Sequence, residues 1–174
     1  MRRIACWLVM MATMAGFFAF RAPASGPADE QAVPIFVTQM PDGYRDWRLI
    51  SVAHEAANFN SLGAVLGNDV AIKAYREGTL PFPDGTIIAA LHYSHSPSEE
   101  NNKVFGRAQS FVPGHPTNIQ FMVKDSVKYA ATGGWGFGHF QDGKPSGDEA
   151  FMKACFPCHA KEKAHDLVFT RYAP

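Results

Sequence analysis

The chain has 174 residues, carries sixteen basic and sixteen acidic side chains, and is 47% hydrophobic. That is enough apolar material for one buried core. The even charge excludes a protein steered to nucleic acid or to an anionic membrane by an excess of positive charge.

The amino terminus reads as a targeting segment. Arg2 and Arg3 precede an apolar run from Ile4 to Phe20, and Ala22 and Ala24 follow in a small-residue pattern. This order predicts a secretory signal peptide over residues 1–24, with periplasmic export and no membrane attachment after cleavage. The alternative, an uncleaved membrane anchor, would rest on a run at the short limit for a span. Cleavage removes Arg2, Arg3 and Arg21 but no acid, so the mature chain turns mildly acidic. It also removes Cys6, leaving Cys155 and Cys158. Residues 25–40, rich in Pro, Ala and acids, read as a flexible leader, and residues 41–174 as one domain.

Within that domain "WRLISVAH" predicts a strand. "NDVAIKAYREG" predicts a helix that Asn68 or Asp69 caps and Gly78 stops. "PFPDG" is a turn leading into the strand "TIIAALHY". "NIQFMV" and "WGFGHF" are further strands, with "DSVKYA" between them as a short helix. His115 falls in the loop "PGHPT". "GDEAFMKAC" is a short helix leading into the cysteines, and "DLVFTRY" finishes the chain. Strands outnumber long helices, so the fold class is α+β, mainly antiparallel sheet with a few short helices.

The chemistry concentrates in "KACFPCHA", where Cys155 and Cys158 are followed directly by His159. A structural zinc would need about four ligands, and beyond this cluster the mature chain adds no second cysteine pair. A thioredoxin-type pair normally opens a helix after an early strand, not the end of a chain. A disulfide across so small a ring would staple nothing. Covalent haem attachment uses all three residues: two thiols add to the haem vinyl groups and His159 is delivered to one face of the iron. The predicted cofactor is therefore haem c, held near the C-terminus, with His159 as its metal ligand. Few residues follow His159, and none is methionine. Met152 lies on the wrong side of the motif, Met40 beside a turn, and Met122 inside a strand as core. The sixth iron position is expected to be open or filled by water.

With these residues in place, the chain resembles the cytochrome P-460 family, which includes the β-sheet type of cytochrome c prime. The resemblance runs through "YRDWRLISVAH", "PDGTIIAAL", "VKDSVKYA", "GGWGFGHF", "CFPCHA" and "DLVFTRYAP". It implies an antiparallel sheet carrying a haem, often as a homodimer, with an accessible distal face. Members oxidise hydroxylamine or bind nitric oxide. In the hydroxylamine-oxidising members a lysine cross-links to the porphyrin edge. The matching position here is Ala90, and "TIIAALHY" holds no lysine. A distal carboxylate of those members falls near Gln120, beside Phe121. The departure favours an exported cytochrome that binds nitric oxide or a similar small ligand. A hydroxylamine-oxidising enzyme and an electron-transfer cytochrome with a redox partner cytochrome remain as alternatives.

Alternation along a strand lets only one of Gln120 and Phe121 face the iron, and Phe121 is the expected one. Arg171 is a candidate partner for a haem propionate. His92 and His95, three apart, should face opposite sides of a strand, as solvated or capping groups rather than a second metal site. His54 and His139 end or interrupt apolar runs and are candidates to approach the haem, but are expected rather as hydrogen-bonded strand histidines. Trp47, Phe121, Phe137 and Trp135 are also core candidates, although some aromatic must cover the porphyrin faces.

Overall fold

The computed structural model describes residues 35–56 and 60–173. The predicted signal peptide and most of the predicted leader lie outside the described residues. Six strands follow one another as an antiparallel meander in the order β1 to β6. They are β1 (Arg48–Glu55), β2 (Ser61–Gly67), β3 (Ile87–Pro97), β4 (Phe111–Lys124), β5 (Trp135–Gln141) and the two-residue β6 (Lys144–Pro145). Among the described residues three helices, α1 (Asp69–Glu77), α2 (Glu99–Phe105) and α3 (Glu149–His159), complete the α+β architecture.

Local chemistry accounts for the helix ends. The Asn68 side chain accepts from the Ala71 amide at 3.0 Å, and Gly78 closes α1 in the left-handed region at φ 66°. Ala71, Ile72 and Ala74 form the buried stripe of this helix. Full burial of a side chain such as Ile72 contributes roughly 1.5–3 kcal/mol. The polar tract "SPSEENNK" forms α2, which Ser98 caps by accepting from the Asn101 amide.

Several elements differ from the sequence reading. β2 was not anticipated. β4 is longer than "NIQFMV" and takes in Pro113, His115 and Pro116, so His115 stands on a strand and not in a loop. The two prolines donate no ladder hydrogen bond, and the β3–β4 register shifts between His92 and His95. "DSVKYA" is not a helix. Its Asp125 carboxylate accepts from the Val127 and Lys128 amides, making a turn before a short 3-10 segment, Ala130–Thr132. The end of the predicted leader is also ordered: the Val37 amide donates to the Phe137 carbonyl and the Phe137 amide to that of Ile35.

Each face of the sheet carries its own cluster. One joins Ile50, Val65, Ile88, Met122, Trp135 and Phe137 to α1 and to Leu167 and Val168. The other joins Ala89, Leu91, Phe121 and Phe140 to Tyr44 and Trp47. A bulge between Leu49 and Ser51 lets Ile50 enter the first cluster.

Candidate haem site

α3 does not stop before the cysteines. Asp148 caps it by accepting from the Phe151 amide at 2.8 Å, and it runs through both cysteines to His159 with Pro157 inside. Positions 155, 158 and 159 are three and four apart, so one helix face presents all three. The helix lies against β5, beside the first cluster.

Between this face and the sheet lies a cavity of about 420 Å³. Cys155 and His159 border it from α3, and Val168, Phe169, Thr170 and Arg171 from the C-terminal segment. The sheet contributes Val65, Ile88, Ala90, Met122 and Phe137 as apolar wall, with Glu55, His92, Gln120 and His139 as its polar part.

The His159 ring is half-buried between Phe137 and Phe169, with ring centres 5.1 and 4.9 Å away. Its Nδ1 lies 2.8 Å from the Leu167 carbonyl oxygen. A carbonyl can only accept, so Nδ1 carries the proton and Nε2 the free lone pair. Burial pushes the imidazole below its ordinary pKa, against the opposing pull of that hydrogen bond. A neutral imidazole with Nε2 free is the form that binds iron.

The thiols suit attachment better than redox exchange. Both are free, Cys158 is exposed, and burial raises the pKa of Cys155, with Cys158 adding to the rise. A catalytic Cys-x-x-Cys pair needs the opposite shift. The donor set therefore fits a haem: two unpaired thiols, one pre-set imidazole and an apolar wall. Phe151 and Phe169, 48% and 51% exposed, are large apolar groups at the cavity that such a ligand would cover.

The remaining predicted residues divide between the two faces. Phe121, expected to cover the iron, borders the cavity, but its ring is turned into the second cluster, edge-on against Tyr44 and Phe140. Alternation then gives the cavity face to its neighbour Gln120, whose amide nitrogen donates to Asn118 at 3.1 Å. Arg171 borders the cavity, but its guanidinium donates to the carbonyls of Val168 and Phe169 and to Glu162 at 2.6 Å. Ala90 is on the cavity wall.

His92 and His95 do take opposite faces. His92 is not solvated as expected: its side chain is 11% exposed, on the cavity wall and 3.9 Å from Glu55. His95 stacks between His54 and Phe111 instead. His54 therefore stands away from the cavity, bonded to Asn60. His139 lines it, with Nδ1 2.6 Å from the Ser146 hydroxyl. Trp135 and Phe137 are core, whereas Trp47 is half-buried beside the second cluster.

Sequence reasoning missed Leu167, whose contribution is a backbone carbonyl and leaves no side-chain signal. A family model described as cytochrome P-460 matches residues 41–170, most of the chain. No curated protein matches it.

Proposed function

The chain belongs to the cytochrome P-460 family, and from that premise we propose that it is an exported mono-haem c-type cytochrome whose iron binds nitric oxide or a similarly small ligand. The observation that carries this reading is His159, held with Nδ1 donating to Leu167 and Nε2 free at a cavity that Cys155 also borders. Cys155 and Cys158 would hold the haem through thioethers and His159 would ligate its iron. Haem bound there would supply a redox-active iron able to bind a small ligand.

The chain's own residues select what enters. Val65, Ile88, Ala90, Met122, Phe137 and Val168 exclude water from the wall. An ion must shed its hydration to pass them, at a cost of several kcal/mol if it gains no partner, whereas a neutral diatomic sheds little. Gln120 offers an amide that can donate to a bound ligand. Ala90, with no amine to attach, favours a haem joined through Cys155 and Cys158 alone.

A second reading, oxidation of hydroxylamine, is favoured by one observation: His92, His139 and Glu55 place proton-handling groups on the same wall. Titration of the ferrous protein with nitric oxide and carbon monoxide, beside a dye-coupled hydroxylamine assay, decides. Tight nitric oxide binding without hydroxylamine turnover is expected. Turnover would overturn the first reading in favour of the second.

A further inference from the structure

Lys124 closes β4 with a side chain only 7% exposed, and its ion-pair partner Asp166 is 14% exposed. The ammonium donates to the Asp166 carboxylate oxygens at 2.8 and 3.0 Å and to the Gly133 carbonyl at 3.0 Å. It also lies 5.0 Å from the centre of the Trp135 ring. The Asp166 carboxylate accepts in addition from the Phe82 amide at 2.9 Å. Burying two charges is a poor route to stability, because lost hydration offsets the attraction. Its use here shows in the backbone. Asp166 and Leu167 both sit in the left-handed region, at φ 50° and 67°. Leucine avoids that region. That conformation presents the Leu167 carbonyl to His159 Nδ1.

We propose that the Lys124–Asp166 pair is a positioning device for His159: it fixes the left-handed corner whose carbonyl orients the imidazole and strengthens it as a donor. Lys124 also belongs to the strand that contributes Gln120 and Met122 to the opposite wall. The pair thus ties the ligand side of the cavity to the sheet side. Partners that orient a metal-bound imidazole tune the metal as well as hold the ligand. This inference rests on His159 being the iron ligand.

The test compares the haem-loaded parent with Asp166→Asn and Lys124→Met. Asparagine tolerates the left-handed region and keeps an oxygen for the Phe82 amide, so that variant loses the charge while retaining the fold. Two quantities are read: the iron–imidazole stretching band of the ferrous protein by resonance Raman, and the midpoint potential. With a weakened Nδ1–H···O=C bond the band should move to lower frequency and the potential should rise, in both variants. Lower melting temperatures with band and potential at parent values would assign the pair to stability alone and overturn the proposal. If Lys124→Met does not fold, Asp166→Asn decides by itself. A parent lacking the imidazole band would overturn the assignment of His159 first, an outcome visible before any variant is made.

Discussion

Gln120 and Phe121 are adjacent on β4 yet should respond to mutation in unrelated ways. Phe121 is 1% exposed and borders the cavity, but its ring packs between Tyr44 and Phe140 in the second cluster. Truncating a buried phenylalanine to alanine costs roughly 3–5 kcal/mol, because the rings around it cannot fully collapse into the space. For a domain of this size that lowers the melting temperature by roughly 10–20 °C. Phe121→Ala should therefore melt early while its ferrous nitric oxide and carbon monoxide kinetics stay at parent values. Gln120→Leu should do the reverse. Gln120 is exposed and, among the described residues, its side chain bonds only to Asn118, so stability should hardly change. Loss of a hydrogen bond to a bound ligand, worth about 1 kcal/mol, should speed ligand release roughly fivefold. Calorimetry and stopped-flow displacement measure both quantities on the same samples. Altered ligand kinetics in Phe121→Ala, with the melting temperature unchanged, would put that ring in the pocket and refute the assignment of faces.

Replacing Cys155 and Cys158 together by Ala should leave no colour after acid–acetone extraction. A tryptic digest of the parent should carry haem on the "ACFPCHAK" peptide alone, and a second haem-linked peptide would point to a porphyrin cross-link. Met122→Leu should keep the parent's five-coordinate ferrous spectrum; conversion from a six-coordinate parent would identify Met122 as an axial ligand. Burial holds His92 and His139 below the ordinary histidine pKa near 6.5. The unfolded chain then takes up protons that the folded chain refuses, so stability is full above about pH 6.5 and falls as pH drops towards the depressed values. Urea midpoints should decline from pH 7.5 to 5.5, less steeply in a His92→Gln, His139→Gln double variant. A midpoint that rises on acidification would contradict this.

The Cys-x-x-Cys-His cluster was legible because groups that act together on one ligand need fixed local spacing, and α1 because Asn68 and Gly78 mark its ends. β2 was not, since "SLGAVLG" offers two glycines and small side chains in place of a β-branched run. Only its place between β1 and β3 makes it a strand, with alternate residues buried. Choosing between Gln120 and Phe121 failed for a related reason. Both faces of this sheet are covered, so an apolar side chain does not tell which face holds the cavity. Nothing in the sequence singled out Lys124, because its partner Asp166 lies 42 residues further on.

An open iron position depends on what the other bases at the cavity already do. Met122, His92 and His139 all border it, and each has a lone pair suited to iron. His139 is tied through Nδ1 to Ser146, and its ring meets Phe151 edge-on at 5.0 Å. His92 stands on the wall beside Glu55, and Met122 is 9% exposed inside the first cluster. A side chain on a paired strand reaches a new ligand position only by leaving such contacts or by moving the strand, and moving it breaks ladder hydrogen bonds on two sides. His159 faces no such cost. It ends a helix, and its accepting partner leaves the ligating nitrogen free. The electron-carrier alternative would take one of these three strand residues as a second ligand, whereas ligand binding leaves all three in their present contacts.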